Sequence, residues 1–325
     1  IEEALNRAMY KLEGAYSLVV MSPSKMMAAR DIHGFHPLCY GVRDDGSYVI
    51  ASESCALNSV SATLVRDIEP GEIVVFDKNG IRSIKDHCGL VKKSSCVFEY
   101  IYFARPDSVV DGFSVHEARL RAGEFLAKEH PVDADIVIGV PDSGLDAAIG
   151  FSRESGIPYG IGFIKNKYIG RTFISPGQAA REDKVKIKLN PISQVVSGKR
   201  VVMIDDSIVR GTTCKKIVHL LREAGASEVH VRISAPPFIA PCYYGTDIDS
   251  KDVLIACHHS VDEICKIIEA DSLGYLSLEN TLKLAPSEQN TGFCVACFNE
   301  KYPTAVPEKA YKNRFEEKIS ANANK

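Results

Sequence analysis

The chain has 325 residues, of which 45% are hydrophobic and 25% are charged, and its formal net charge is −3 at pH 7. This length and apolar fraction are enough for at least one large core and for parts of two domains. The near-neutral charge gives no electrostatic footprint for nucleic acid or an anionic membrane, and no apolar run approaches the length of a membrane span. We therefore expect a cytoplasmic globular protein without nucleic-acid or membrane partners.

The first 85 residues predict a layered β structure, because short apolar segments alternate with turn residues. These segments are residues 12–20, 29–38, 51–54 and 66–71. Residue 1 is Ile, without an initiator Met or a basic region leading into an apolar one, so we expect the chain to begin within a domain. Cys39 and Cys55 lie in strand or turn contexts, where a buried small hydrophobic residue is the ordinary interpretation.

The pattern changes after a polar stretch at residues 77–86, which contains the turn signal Asn79-Gly80 and marks the expected domain boundary. Strands and helices alternate from there, which predicts an α/β fold. A predicted helix at 145–154 ends at Gly156. The charged residues from 307 onward predict a solvated tail. The predicted strands are 135–140, 159–164, 201–204 and 228–233.

The most informative segment is 201–213, where an apolar strand ends in Asp205 and Asp206. Such a run is typical of a buried parallel strand, and open α/β sheets bind ligands at the carboxyl ends of these strands. Adjacent acids repel each other unless they meet hydroxyls or a cation, and a ribose diol with Mg²⁺ supplies both. Gly211 allows close approach to an anion, and the next two threonines offer hydroxyls at a helix start. The segment predicts a socket for a phosphorylated sugar; an ordinary turn whose acids cap the helix is the alternative. The helix that follows is indicated by an apolar stripe of Ile217, Val218, Leu220, Leu221 and Ala224.

A second loop, residues 140–144, also follows a predicted strand and precedes a predicted helix. Its glycine lets backbone groups face a pyrophosphate at the same end of the sheet. From local sequence alone, Ser143 is equally well explained as the N-cap of the helix.

Residues 165–177 predict a mobile flap, because glycine and proline interrupt a basic stretch. Lys165, Lys167 and Arg171 supply three cations, which suit a pyrophosphate leaving group whose negative charge grows during substitution at C1 of the ribose. Closure of the flap would exclude water. A solvated surface is the ordinary alternative for a charge run.

Ten cysteines in a chain expected to be cytoplasmic indicate metal or redox use rather than structural disulfides. Cys294 and Cys297 form a C-x-x-C pair that needs partners, and Cys96 and Cys242 are the best candidates. Cys242 lies in a proline-rich, non-helical segment that can hold a ligand rigidly. Zinc binding, disulfide chemistry, iron–sulfur ligation and free buried thiols all remain compatible with the pattern.

Four blocks, residues 96–108, 165–174, 201–213 and 294–303, resemble one family, the glutamine phosphoribosyl pyrophosphate (PRPP) amidotransferases of purine synthesis. With the amino-terminal segments, the resemblance spans nearly the whole chain. It implies an α/β type I phosphoribosyltransferase fold, a parallel sheet flanked by helices, preceded by the second half of an N-terminal-nucleophile glutaminase domain with α+β layers. The implied domains are the C-terminal part of the glutaminase at 1–85, the phosphoribosyltransferase with iron–sulfur cysteines at 86–306, and the charged tail at 307–325.

The resemblance implies that PRPP and ammonia are converted to 5-phosphoribosylamine and pyrophosphate, the first step of de novo purine synthesis. In this family the ammonia comes from glutamine, through a cysteine nucleophile at the mature amino terminus. That position has no counterpart here, so we expect no glutamine hydrolysis by this chain. We also expect a homo-oligomer. A salvage phosphoribosyltransferase and a PRPP-sensing regulator without turnover are the alternatives.

The resemblance also assigns roles to individual residues. The Mg²⁺ ligands would be Ser143, Asp205 and Asp206. The [4Fe-4S] cluster, present in one subgroup and structural or regulatory in role, would be held by Cys96, Cys242, Cys294 and Cys297. The catalytic cations would be Lys165, Lys167 and Arg171, and an ammonia channel would be lined by Tyr168, Phe173 and Ile174. The PRPP-binding residues would be Ser143, Asp205, Asp206, Ser207, Arg210, Gly211, Thr212 and Thr213.

Overall fold

The computed structural model describes residues 1–166, 189–248, 250–286 and 292–306. Its first region contains two antiparallel sheets. The strands are β1 (Ser17–Ser22), β2 (Lys25–Arg30), β3 (Cys39–Arg43), β4 (Tyr48–Ala51), β5 (Ala62–Asp67), β6 (Ile73–Asp77) and β7 (Gly80–Ile84), and the helices are α1 (Glu2–Met9) and α2 (Ser54–Ser59). The strand orders are β1-β2-β6-β7 in one sheet and β4-β3-β5 in the other.

The four-stranded sheet buries both of its faces, because β6 carries apolar side chains at four successive positions that alternate between the two faces. One face packs beneath α1 through a cluster of Leu5, Met9, Met27, Ala29, Ile73 and Val75. The opposite face packs against the second sheet through Ala28, Leu38, Tyr40, Ile68, Val74 and Phe76. The layered β structure expected for this region is confirmed.

The polar stretch at 77–86 forms the hairpin between β6 and β7. Gly80 has a φ of +106°, and the backbone N–H of Asn79 donates to Asp77 Oδ1 at 2.8 Å, so these residues make a tight turn within the sheet. Cys39 lies buried in β3, and Cys55 is also a buried small residue, both as expected. Only the strand or turn context expected for Cys55 is wrong. Cys55 is buried within α2 rather than in a strand or turn, because that short helix packs on the second sheet.

The second region is built around a parallel sheet. Its helices are a π-helix (Glu99–Phe103), α3 (Val115–Glu129), α4 (Gly144–Ser155), α5 (Ser193–Val196), α6 (Thr212–Glu223), α7 (Val261–Ile267), α8 (Leu278–Thr281) and α9 (Ala296–Asn299), with 3₁₀ turns at Lys251–Val253 and Ile255–Cys257. Its strands are β8 (Ser95–Cys96), β9 (Val109–Val110), β10 (Phe113–Ser114), β11 (Ile136–Gly139), β12 (Phe163–Lys165), β13 (Leu189–Pro191), β14 (Arg200–Asp205), β15 (Glu228–Ile233), β16 (Ser272–Tyr275) and β17 (Phe293–Cys294).

The parallel sheet has the strand order β11-β14-β15-β16, and β14 is its buried central strand. Residues 201–204 of β14 are fully buried, as their unbroken apolar run predicts. Helix α4 ends at Gly156, which has a φ of +74°. The apolar stripe of α6 is buried except for Ala224, which follows the helix and is partly buried. Helices α3 and α4 touch through their backbones, because a Cβ on Gly123 would lie 1.8 Å from the carbonyl oxygen of Ala147. The predicted parallel sheet flanked by helices is confirmed.

The strand predicted at 159–164 is wrong in extent and pairing. Only Phe163–Lys165 is a strand, and it pairs antiparallel with Leu189–Pro191 outside the parallel sheet. Tyr159 makes a single parallel bridge to Val137. Glycines at 160 and 162 lie directly against the side chains of β11, so this segment crosses the sheet edge closely without extending the ladder.

A buried ion pair joins the two regions. Arg30, at the end of β2, binds Asp111 through Nη1–Oδ1 at 2.8 Å and Nη2–Oδ2 at 3.2 Å, and the two side chains are 1% and 3% exposed. Lys93 Nζ lies 2.9 Å from the same carboxylate. The other N–H groups of Arg30 donate to the carbonyl oxygens of Gly34, His36 and Ile68.

Within the described ranges, no helix combines the length and apolar character needed to cross a bilayer.

Candidate active site at the edge of the parallel sheet

Two adjacent carboxylates lie at the carboxyl end of β14. Asp205 and Asp206 are 9% and 8% exposed, and Asp205 Oδ1 accepts a hydrogen bond from the backbone N–H of Asp206 at 2.9 Å. Burial, and then the charge of Asp206, raise the pKa of Asp205 well above its ordinary range. Burial also raises the pKa of Asp206. In the part of the chain that the structure describes, hydroxyl and amide groups bind these carboxylates, and no Lys, Arg or His lies at ion-pair distance.

Ser143 reaches this acid pair from the neighbouring loop. Its hydroxyl donates to Asp206 Oδ2 at 2.5 Å, and the hydroxyl of Ser207 donates to Asp206 Oδ1 at 2.5 Å. Both hydrogen bonds favour the ionised carboxylate and oppose the effect of burial on the pKa of Asp206. Ser143 occupies the N-cap position of α4 but makes no side-chain capping hydrogen bond, so its hydroxyl does not cap the helix. The hydroxyl is directed to the acid pair instead.

The loop that carries Ser143 lies directly on β14. A Cβ on Gly144 would lie 2.4 Å from the carbonyl oxygen of Ile204, so only glycine fits at this position. The backbone N–H of Val140 donates to the same carbonyl oxygen at 2.8 Å. The close packing fixes residues 140–144 relative to the carboxyl end of the strand.

Residues 207–213 form the predicted loop from β14 into α6. Gly211 has a φ of +78°, a left-handed conformation that favours glycine, and a Cβ there would lie 2.7 Å from Ile255 Cδ1, the end of a flexible side chain. Helix α6 begins at Thr212 without a side-chain cap. Thr212 and Thr213 are exposed, as is Arg210. Hydroxyls and the positive end of α6 therefore face solvent close to the acid pair, which suits an anion.

Lys165 is the one predicted flap cation that falls within the described residues. It is the last residue of β12, and its Nζ forms an ion pair with Asp142 in the loop before α4. Lys167 and Arg171 lie outside the described residues. The predicted channel residues Tyr168, Phe173 and Ile174 lie outside them as well.

The structure adds Arg119, which the sequence reading missed. Its side chain is 4% exposed and donates to the carbonyl oxygen of Tyr100 at 2.9 Å and to that of Ala104 at 2.7 Å. Its charge is among the influences that favour ionised Asp206. The sequence does contain a signal for it. Arg119 lies on the same face of α3 as the buried Val115 and Ala122, where an apolar residue is expected rather than a cation.

The four predicted ligand cysteines lie in neighbouring segments. Cys96 and Cys294 are partners in the parallel ladder of β8 and β17. The carbonyl oxygen of Cys297 accepts from Ile239 N at 2.9 Å, which brings the segment containing Cys242 alongside. Burial raises the pKa of Cys96 and of Cys297, with smaller contributions from Glu99 at Cys96 and from neighbouring thiols at both. Over the described residues, no group of three or more His, Cys, Asp or Glu side chains is arranged to hold a metal ion.

The fold and the site are those of the phosphoribosyltransferase class. The sheet is parallel, two acids lie at the end of its central strand, and the next helix begins directly after a glycine. Residues 113–256 match the family model of the phosphoribosyl transferase domain, and residues 1–59 match that of the glutamine amidotransferase domain. The chain is 50% identical over 318 residues to an amidophosphoribosyltransferase of Methanocaldococcus jannaschii, covering 94% of this chain and 67% of that protein. The chain belongs to the amidophosphoribosyltransferase family.

Other relatives give the same result. An amidophosphoribosyltransferase of Synechocystis is 53% identical over 303 residues, which cover 93% of this chain and 61% of that protein. The solved glutamine PRPP amidotransferase of Bacillus subtilis, complexed with ADP and GMP, superposes with a TM-score of 0.86 at 48% identity, covering 95% of this chain and 68% of that one. The chain thus spans 61% to 67% of the length of these two curated relatives.

Proposed function

We propose that this chain transfers ammonia to PRPP, giving 5-phosphoribosylamine and pyrophosphate, the first step of de novo purine synthesis. The observation that carries the proposal is the buried acid pair of Asp205 and Asp206 beside the glycine-led start of α6. Two acids that have no cation at ion-pair distance among the described residues suit ligand hydroxyls, and an uncapped helix start suits a phosphate. The 5-phosphoribosyl group presents both.

The roles of the site residues follow from this fit. Asp205 and Asp206 accept hydrogen bonds from the ribose hydroxyls, and Ser143 orients Asp206 through its 2.5 Å hydrogen bond. Ser207, Arg210, Gly211, Thr212 and Thr213 bind the 5-phosphate. Orientation of the sugar leaves C1 open to ammonia on one side and to departure of pyrophosphate on the other. No protein nucleophile is required.

The leaving group requires positive charge. Lys165 would stabilise the departing pyrophosphate together with Lys167 and Arg171, because its negative charge grows as the bond to C1 breaks. Tyr168, Phe173 and Ile174 would line the path of ammonia. We also propose the division into a glutaminase part at 1–85, a phosphoribosyltransferase domain at 86–306 and a tail at 307–325.

Mg²⁺ fits the oxygen donors of the acid pair. The carboxylates of Asp205 and Asp206 and the hydroxyl of Ser143 are hard ligands, and Mg²⁺ commonly uses one or two carboxylates together with substrate phosphates. When bound, the ion would neutralise charge on the pyrophosphate and on the acid pair.

A [4Fe-4S] cluster is the second proposed cofactor. Cys96, Cys242, Cys294 and Cys297 would hold it, because clusters of this type take four cysteine thiolates and these segments are linked by backbone hydrogen bonds. The raised pKa values of Cys96 and Cys297 mean that a cationic centre is needed to bind them as thiolates. Anaerobic purification tests this: we expect a coloured protein with iron and sulfide, and loss of both in Cys297→Ser. Zinc instead of iron, or a colourless metal-free protein, would refute it.

The activity is tested by pyrophosphate release from PRPP with free ammonia, so the assay does not depend on glutaminase activity. We expect Asp205→Asn to lower the rate by roughly 10²-fold, the effect of removing one preorganised polar group. Asp133→Asn is the matched control, because Asp133 is an exposed carboxylate paired with Arg200 at the start of β14. Release only with a free nucleobase would indicate salvage, and tight PRPP binding without release would indicate a sensor.

A further inference from the structure

Asp142 is a carboxylate beside the proposed pyrophosphate site, where a negative charge requires an explanation. It lies in the loop of residues 140–144, one position before the serine that binds the acid pair. A carboxylate there would repel a pyrophosphate unless its charge were neutralised. The structure provides the neutralising group, because Lys165 forms an ion pair with Asp142 from the end of β12.

We infer that Asp142 is a positioning residue that holds the Lys165 ammonium at the pyrophosphate side of the site before substrate arrives. The inference rests on the proposed function and extends it to a residue outside the predicted site. Its basis is that one short loop binds both the acid pair, through Ser143, and the flap cation, through Asp142.

Both partners are anchored by backbone structure. The loop is fixed on β14 by the close contact of Gly144 with Ile204. Lys165 is fixed by the β12–β13 ribbon, in which it pairs with Leu189. The two ends of the ion pair are therefore held by separate elements, 23 residues apart in sequence. The remaining freedom is the rotation of the lysine side chain, which is 33% exposed and which the carboxylate restricts.

The expected effect is modest and can be calculated from the exposure of the pair. An exposed ion pair favours one arrangement by about fivefold at most. We expect Asp142→Asn, which keeps the size and removes the charge, to lower kcat/KM for PRPP by about fivefold. Asp142→Glu should restore most of this loss, because it returns the charge.

A double-mutant cycle distinguishes positioning from an independent role. In a Lys165→Met background, Asp142→Asn should change kcat/KM by less than about twofold, because there is no ammonium left to position. An equal loss in both backgrounds, or a faster reaction in Asp142→Asn alone, would overturn the inference. Glu154→Gln is the matched control. It breaks the Lys128–Glu154 ion pair near the C-terminal end of α4, the helix that follows the Asp142 loop, and no change in kcat/KM is expected.

Binding of inorganic pyrophosphate, measured by calorimetry with Mg²⁺ present, separates this inference from the proposed function. If the chain releases no pyrophosphate from PRPP, the proposed function fails. The dissociation constant of pyrophosphate can still be measured for the unaltered chain, the two single variants and the double variant. Coupling between Asp142 and Lys165 in that constant supports positioning. Independent effects, or no binding to the unaltered chain, refute it.

Discussion

Replacing Arg30 with Met should destabilise the protein strongly, because Arg30 is the centre of the ion pair between the two regions. Its guanidinium makes five hydrogen bonds, two of them to Asp111. Burial alone would raise the pKa of Asp111, yet Arg30 and Lys93 hold it below its ordinary value, so the carboxylate stays ionised. Methionine keeps the apolar stem and removes every one of these donors.

The magnitude follows from these contacts. Removing one partner of a buried ion pair costs about 3–5 kcal/mol, because a buried charge is left without its partner. Lys93 remains 2.9 Å from Asp111, so the lower part of that range applies. Three carbonyl oxygens, two buried and one partly buried, also lose a donor, which adds up to about 1 kcal/mol each. We therefore expect a loss of about 3–6 kcal/mol in the free energy of unfolding, a large share of the 5–15 kcal/mol typical of folded proteins.

Urea denaturation followed by far-ultraviolet circular dichroism measures this loss, since the chain has no tryptophan for fluorescence. Arg82→Met is the matched control, because Arg82 is 45% exposed and pairs with Glu2 at 2.5 Å. Exposed pairs contribute at most about 1 kcal/mol. A loss in Arg30→Met no larger than in Arg82→Met would refute the reasoning, and would mean that water or Lys93 fully replaces the guanidinium.

Three further predictions concern single positions. Burial, and then the charge of Asp111, raise the pKa of Asp67 to about 6. The folded chain therefore holds the proton of this carboxyl more tightly than the unfolded chain does. As a result, the free energy of unfolding falls as pH rises from about 4 to about 6. Asp67→Asn should therefore gain up to about 2–3 kcal/mol in urea denaturation at pH 7.5 and almost nothing at pH 4, and an equal gain at both would contradict this. Gly144→Ala should abolish PRPP binding in calorimetry while far-ultraviolet circular dichroism stays near normal, because the methyl group displaces the Ser143 loop from Ile204; unchanged binding would show that the loop can move. Met203→Ala should lower the free energy of unfolding by about 2–5 kcal/mol in urea denaturation, since the side chain is fully buried in β14; a loss below about 1 kcal/mol would mean that the core refills the space.

Local patterns predicted the parts of the fold that depend on local chemistry. Residues 201–204 are buried in β14 because both faces of the central strand are covered. The acid pair at its end and Gly211 before α6 were also predictable, since each follows from a short run of residue types. In contrast, Ser143 was ambiguous from sequence, because a hydroxyl before a helix serves as a cap as readily as it binds a distant acid.

Contacts between distant segments could not be predicted in this way. Arg30 and Asp111 are 81 residues apart, and neither has a neighbour in sequence that indicates the other. The strand expected at 159–164 shows the same limit. Its apolar residues are typical of a strand of the parallel sheet, but its glycines pack against the side chains of β11 instead. The position of Asp142 opposite Lys165 depends on how two elements meet, which no local pattern contains.

Two of the buried acid sites, Asp111 and the pair of Asp205 and Asp206, differ in a way that explains their roles. Asp111 has two cations within 3 Å, its pKa is lowered, and removing a partner leaves an uncompensated charge, so it serves the fold. Among the described residues, Asp205 and Asp206 have no cation at ion-pair distance, and burial raises both pKa values. Burying two acids in this state costs stability, and a ligand that brings hydroxyls and a metal ion offsets the cost when it binds. The acid pair at the end of β14 therefore has the electrostatics of a binding site. Its position at the carboxyl end of the parallel strands and the adjoining start of α6 support this conclusion independently.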